Sequence, residues 1–135
     1  MKSTILFLLG FLIFTGCSND DDNSLESIPN GDFAGTFTVE YSNGDVFSNP
    51  VTVSFNSNNS YSSSNSMDYF PAGGSGTYEM TNSTIEFSDI NFWTANFDWN
   101  LILNEEYSFT LNDNELIMSK IRNNVGIYRY VLIKQ

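Results

Sequence analysis

No histidine occurs anywhere in the 135 residues. That removes the side chain that most often serves as proton shuttle, general base and transition-metal ligand near neutral pH. Cys17 is the single thiol. Among the carboxylates, Asp89 and Asp98 lie beside the two tryptophans, Trp93 and Trp99, and in principle could form a glycosidase pair; two solvated loop acids are the simpler reading. Glu105 and Glu106 are adjacent, so on a strand they point to opposite faces and do not act as a pair. Asn112-Asp113-Asn114 has no glutamate following at calcium-loop spacing and reads as a turn. No glycine-rich loop leads from a strand into a helix to cradle phosphate, and no serine sits in a nucleophile elbow. Side chains alone therefore point to a protein that is not an enzyme and holds no metal.

The residues that remain candidates for binding are aromatic: Tyr69, Phe70, Trp93, Phe97 and Trp99. Tyrosine and tryptophan combine a large apolar face with a polar handle. Grouped at the mouth of a barrel they can line a pocket for a small apolar ligand or a glycan. Equally, they can fill the core and plug its end, since a domain this small needs its large side chains for stability.

The elements that must position them are short strands. Aromatic and β-branched residues are frequent, and Asn, Gly and Ser supply turns. Phe33 to Tyr41 alternates, with Phe37, Val39 and Tyr41 on one face. Asn43-Gly44 signals a type I′ hairpin, and Val46 to Phe55 returns with Val51, Val53 and Phe55 facing in. Pro50 donates no ladder hydrogen bond and belongs at an edge, bulge or strand start. Ser60 to Ser64 reads as a short strand. Ala72 to Gly76 reads as a flexible glycine loop with aromatics at its root. Thr77 to Met80 and Thr84 to Ser88 form a hairpin, and Asp89 to Leu103 is a bent strand or a long loop closing one end. Glu106 to Leu111, Glu115 to Ile121 and Val125 to Ile133 complete the set, with turns at Asn112-Asp113-Asn114 and Asn123-Asn124. The last strand is apolar on both faces, Tyr128, Tyr130 and Leu132 on one and Ile127, Val131 and Ile133 on the other, and is predicted to be the most buried. Strands at roughly ten-residue spacing without a helix point to a sandwich or barrel, and consecutive hairpins favour a closed up-and-down sheet without exposed edges.

Several of these stretches carry a resemblance. Gly31-Asp32-Phe33-Ala34-Gly35-Thr36-Phe37 looks like the opening of lipocalin-like domains. Gly76 to Met80 with Ser83 to Phe87, Glu106 to Leu111 with Asn114-Glu115-Leu116, and Tyr128 to Lys134 resemble the hairpins of small lipocalin-like lipoproteins of Bacteroidetes. The resemblance implies an all-β fold over residues 31–135, a single small antiparallel up-and-down β-barrel. It implies no particular ligand.

The start of the chain has a separate logic. Lys2 precedes an apolar run from Ile5 to Phe14 broken only by Gly10. About ten residues suit a signal-peptide core, whereas a spanning helix needs roughly 20. The exit Phe14-Thr15-Gly16-Cys17 resembles the lipobox of bacterial lipoproteins, which implies cleavage after residue 16 and a diacylglycerol on Cys17. Two or three acyl chains, at about 0.8 kcal/mol per buried methylene, make such an anchor effectively permanent. Residues 17–30 then read as an acidic flexible tether, too polar to bury surface. Within it Asp20, Asp21 and Asp22 resemble the lipoprotein export signal of Bacteroidetes, which implies a place on the outer face of the outer membrane; a periplasm-facing location is the alternative.

After Cys17, four cations (Lys120, Arg122, Arg129, Lys134) stand against all sixteen acidic residues, which leaves a side-chain balance of −12. Such a surface repels polyanions, so nucleic acid is not expected as a partner, nor are anionic lipid headgroups. The cations all follow residue 119; on paired strands they read as cross-strand charge partners, with a local basic strip as the alternative. The expected partners are the membrane, through the anchor, and a small apolar ligand, a glycan or an outer-membrane protein. Two functions stay open: a surface-exposed binding module, or a non-catalytic structural or interaction lipoprotein, an accessory subunit or inhibitor with a fully packed barrel.

Overall fold

A computed structural model describes residues 27–135. The signal peptide 1–16, Cys17 and the acidic triplet Asp20, Asp21 and Asp22 lie outside the described residues. Eight strands follow in order: β1 (Gly31–Tyr41), β2 (Val46–Phe55), β3 (Ser60–Ser63), β4 (Gly74–Met80), β5 (Thr84–Asp89), β6 (Glu105–Asn112), β7 (Glu115–Arg122) and β8 (Gly126–Lys134). Each pairs antiparallel with the next, and β1 pairs with β8 from Phe33↔Lys134 to Tyr41↔Gly126, closing an up-and-down barrel. One short 3₁₀ turn, Trp99–Leu101, interrupts the β5–β6 connection. The described residues are therefore all-β, with the closed barrel that alternation and hairpin spacing predict.

Period-two alternation decides what lies inside. Phe33, Phe37 and Val39 from β1, Val51, Val53 and Phe55 from β2, and Tyr128, Tyr130 and Leu132 from β8 are buried. An eight-stranded barrel has a bore just wide enough to be filled by side chains, and here aromatic rings cross it. Phe33 packs edge-on to Phe55 (5.6 Å between ring centroids), Phe55 meets Phe87 (6.4 Å), Phe87 meets Tyr107 (5.8 Å), Tyr107 meets Tyr130 (5.8 Å) and Tyr130 meets Phe37 (4.8 Å). The chain of contacts begins and ends on β1, so rings occupy the bore from wall to wall.

Four readings of the sequence are corrected. The Asn43-Gly44 turn is not type I′. Gly44 has φ 94° and Asn43 is not in the positive-φ region, while Gly44 N–H donates to Tyr41 O and Tyr41 N–H to Asp45 O. That is a three-residue loop, a type I turn closed by a glycine bulge. The glycine segment after Ala72 is not a flexible loop. Ala72 is buried, Gly73 bridges Ile102, and Gly74 to Gly76 run in β4. A Cβ on Gly76 would run into the Ser88 carbonyl of β5, so the glycine permits close backbone approach. Thirdly, β8 is covered on one face only: its inner residues are fully buried, while Ile127, Val131 and Ile133 stay 36–44% exposed. Closure of the barrel buries one side of every strand and leaves the other to solvent. Lastly, acidic partners face only some of the cations. Lys120 and Arg122 both meet Glu105 of the neighbouring β6, but Arg129 stands opposite Ser119 and Thr38.

Pro50 pairs with Thr36 in the middle of β2. Thr52 N–H points away from β1 to the Ser64 hydroxyl, and by alternation the Pro50 nitrogen points the same way, past where β3 ends. Its missing donor costs no ladder bond.

Gly35 is where closure is tightest: a Cβ there would collide with the Val131 carbonyl of β8. The expected outcome of Gly35→Ala, and of Gly76→Ala, is a loss of about 1–3 kcal/mol or more, because rigid backbone must move. Chemical denaturation checks this, with Gly44→Ala as the comparison for backbone strain alone, since a Cβ there meets nothing within 4 Å but φ is +94°. Equal stability of Gly35→Ala and the parent chain would contradict this account of closure.

Candidate functional site at the long-loop end

The barrel has unlike ends. At one, the short β2–β3, β4–β5 and β6–β7 turns gather beside the start of β1, where Lys134 Nζ donates to Asn30 O (2.9 Å) and Gln135 N–H to Asp32 O (2.9 Å). At the other, residues 64–73 and 90–104 form the two long connections. They are joined to each other by the Gly73↔Ile102 bridge, with Leu103 N–H to Gly73 O (2.8 Å) and Ala72 N–H to Leu101 O (3.0 Å). The Asp89 to Leu103 segment is thus the closing loop, not a strand.

Asp98 fastens that loop to the barrel rim. Its Oδ2 accepts from the hydroxyls of Tyr41 (3.0 Å) and Tyr128 (2.5 Å), and its Oδ1 from the N–H and side-chain amide of Asn100 (3.0 and 2.9 Å). Partial burial pushes the carboxyl up, but the bonds from Tyr128, Asn100 and Tyr41 outweigh it and the net shift is downward. Burial first, and the bond to Asp98 next, push both tyrosines well above their ordinary value. Asp89 fastens the other end of the loop: it accepts from Ser75 N–H (2.9 Å), Asn91 (2.6 Å) and the Trp93 indole (2.6 Å), while its own N–H reaches the Asn104 side chain (2.9 Å). Neither acid is a free, solvated carboxylate, contrary to the simple reading of the sequence. Their oxygens are engaged in holding the loop.

The aromatic candidates divide. Tyr69 stacks on Phe97 (4.6 Å, 5° between planes) and Phe97 meets Trp93 edge-on (5.8 Å). Phe70 turns away to stack on Phe47 (4.3 Å, 7°), a residue that no motif singles out. Phe70, Trp93 and Phe97 pack partly buried against the core, so they plug this end. Trp99 does not join them. It is 60% exposed, with its indole N–H tied to Ala95 O (3.3 Å). Between Trp99 and Trp93 opens a recess of about 280 Å³ whose other walls are Asp89, Asn91, Asn100, Ile102, Asn104 and Glu105. It lies outside the bore, over the closing loop.

Lys120 is the residue missed by motif reasoning. It is 4% exposed and points into the barrel beneath this loop, its Nζ 4.9 Å from the Tyr107 ring centroid and 5.6 Å from that of Tyr128. The amine donates to Asn104 O (3.2 Å) and lies 3.6 Å from Glu105. Glu105 also binds Arg122, whose Nε reaches Asn100 (3.1 Å). Strict alternation from Leu116 through Met118 would have placed Lys120 inside. Burial lowers its pKa to about 8, with the Asp98 charge pulling the other way.

Comparison with protein-family models, with curated proteins and with solved structures finds no match.

Two outcomes follow from this geometry. Asp98→Ala leaves the Tyr128 hydroxyl and the loop amides without their acceptor and is expected to cost about 1–3 kcal/mol. Because the folded value of Asp98 lies below 3.8, its contribution is present above that pH and lost as pH falls through the folded value. Lys120 acts in the opposite range. Its folded value of about 8 lies below the unfolded 10.5, so the unfolded chain binds more protons in between and stability rises with pH above about 8. The window ends near pH 10, where the unfolded tyrosines ionise before their buried counterparts. Urea unfolding at pH 7 and pH 9.5 reads the rise, and Lys120→Met should abolish it.

Proposed function

We propose that the chain is a non-catalytic bacterial lipoprotein of the Bacteroidetes outer membrane, held by lipid on Cys17, whose lipocalin-like barrel presents the Trp93–Trp99 recess to a neutral glycan. The observation that carries the glycan reading is Trp99. A large ring left 60% exposed but held by a hydrogen bond is a fixed apolar platform, and the Asn91, Asn100 and Asn104 amides surround it. Small-molecule sites combine an apolar surface with a few placed polar groups, and a sugar ring offers an apolar face and a rim of hydroxyls to match. The recess holds about 280 Å³, below the roughly 300–1,000 Å³ of drug-sized sites, which suits one or two sugar units of a longer chain. Asp89 and Glu105 in its walls disfavour an anionic ligand.

The ring-filled bore argues against a small apolar ligand inside the barrel, because the Tyr107–Tyr130–Phe37 contacts would have to part to admit one. Anchoring is consistent with the recess. The chain enters β1 at the short-turn end, opposite the long-loop end that carries the recess. The packed bore also supports a second reading, an interaction lipoprotein whose loops dock on an outer-membrane protein.

Three measurements separate these parts. Mass spectrometry of the mature N-terminus should find an acylated Cys17, and Cys17→Ser should release the protein from membranes; an unmodified thiol would refute the anchor. Replacing Asp20, Asp21 and Asp22 by alanine should lower protease access on intact cells, and unchanged access would remove the export-signal reading. Affinity electrophoresis in neutral polysaccharides should show retardation that Trp99→Ala weakens about tenfold, or ~1.4 kcal/mol, with stability changed by less than about 0.5 kcal/mol. Equal mobility of both proteins in every glycan, with an outer-membrane protein recovered by pull-down, would favour the second reading.

A further inference from the structure

The Trp93–Trp99 recess has neighbours. Two further depressions adjoin it along the same rim, and each shares part of its wall. Asn91 and Trp93 also bound a depression of about 360 Å³ whose far side holds Ser62, Ser63 and Asn65. Glu105 also bounds one of about 470 Å³ that reaches Ser108, Ser119 and Arg122. Barrel order explains the alignment. Strands β3, β4, β5, β6 and β7 are successive neighbours, so the openings follow one another across them. Four strand spacings of about 4.8 Å make the row roughly 19 Å long, measured along the wall.

Local backbone keeps both ends of the row open. β6 starts at Glu105 and β7 runs to Arg122, yet their ladder stops at Ser108↔Ser119. Glu105 itself has φ 69°, a left-handed backbone that residues other than glycine rarely take. The two strands therefore part at this end, and the gap between them is the depression beyond Glu105. Such strained positions cluster at binding sites. At the other end β3 has only four residues, and its ladder with β4 ends at Ser63↔Gly74.

The walls keep hydrogen-bonding capacity in reserve. Glu105 uses Oε2 for Lys120 and Arg122, so two cations hold the carboxylate while Oε1 is left over. Asn104 accepts Asp89 N–H with its side-chain oxygen, which leaves the amide nitrogen as a donor in the recess wall. Glu86 and Glu106 stand directly opposite each other beside the gap, a like-charge pair that costs stability in the bare chain. Hydroxyl donors placed between them would ease that repulsion.

We propose that the three depressions form one groove, and that it takes a linear, uncharged polysaccharide through its internal units. This rests on the glycan reading of the recess and extends it to the length and form of the ligand. Donors and acceptors spread along the row match a polymer that carries hydroxyls on every unit, and Trp99 supplies a stacking face at the middle. Both outer depressions are open to solvent, so the polymer continues past either end and no terminal unit is required. Asp89, Glu86, Glu105 and Glu106 outnumber Lys120 and Arg122 along the row, which disfavours a polyanion.

The test is calorimetric titration of the full-length chain in detergent. The probes are β-linked gluco-, manno- and xylo-oligosaccharides of two to six units and the polymers built from them. In at least one series, affinity should rise about tenfold or more from two units to six and hold for the polymer. Asn65→Ala at one end and Glu106→Ala at the other should each weaken six-unit binding about three- to tenfold, the worth of a net hydrogen bond, and leave two-unit binding unchanged. Trp99→Ala should weaken both lengths. Thermal midpoints no lower than the parent's show that the variants fold. Affinity that is flat from two units to six, or indifferent to both end variants, would overturn the groove and leave the recess standing. Loss of binding on going from six units to the polymer would overturn the internal-unit mode. Heat from none of the series would remove the recess reading and the groove together.

Discussion

Everything in this structure depends on β1 pairing with β8. Those strands begin and end the described barrel, so their contact is the one that must join distant parts of the chain, and it runs over nine residue pairs. Closing a loop of that length is entropically costly, and only the completed ladder compensates for it. Two features of sequence make it feasible. Gly35 lets the backbones approach where a side chain would collide with the Val131 carbonyl. Alternation on both strands places Phe33, Phe37, Tyr128, Tyr130 and Leu132 on the same side, so that closure and core formation are one event.

Closure then dictates how the bore is filled. Eight strands fix its width, and the side chains that fit are rings: Phe87 and Tyr107 bridge from β5 and β6 to the β1–β8 seam through Tyr130. The fit has a polar residue within it. The hydroxyls of Tyr107 and Tyr130 are buried with no polar neighbour but each other and no well-formed hydrogen bond among the described residues, and Lys120 is buried against the Tyr107 ring. Unpaired buried polar groups cost of the order of 1–3 kcal/mol each. Phenylalanine at both tyrosine positions would have avoided that cost, so these hydroxyls are a place where packing alone does not account for the sequence.

Much of the barrel was legible because period-two alternation is a strong signal where one face is buried and the other wet. Residues 33–41, 51–55 and 106–111 reveal their inner sides directly. The readings that failed did so where a local pattern has two physical causes. Glycines from 73 to 76 signify flexibility or close packing, and only the neighbouring Ser88 and Leu103 backbones decide between them. The two-faced apolar pattern of β8 signifies two-sided burial, yet a single barrel supplies one side. At the site, Trp93 and Phe97 meet within one loop, four residues apart, whereas the Phe70–Phe47 stack joins a loop to β2 and leaves no trace in either segment. Asp98 was conspicuous only as an acid near tryptophans. Its task, receiving two tyrosine hydroxyls from β1 and β8, arises from residues 57 and 30 positions away.

The filled bore has a consequence for where function can reside. In a barrel with an open interior, ligand specificity is written on inward-facing side chains, and the outer wall is free to be polar everywhere. Here the interior is filled, so the surfaces left open to contact are the closing loop and the outer wall. Both places depart from what solubility requires. An exposed tryptophan is pinned over the loop between Asp89 and Asp98, whose carboxylates are spent on holding it in place. Isoleucines and valines stand on the outer side of β7 and β8 where the other walls carry serine and threonine. Both departures are compatible with a stable closed barrel because neither is needed to close it.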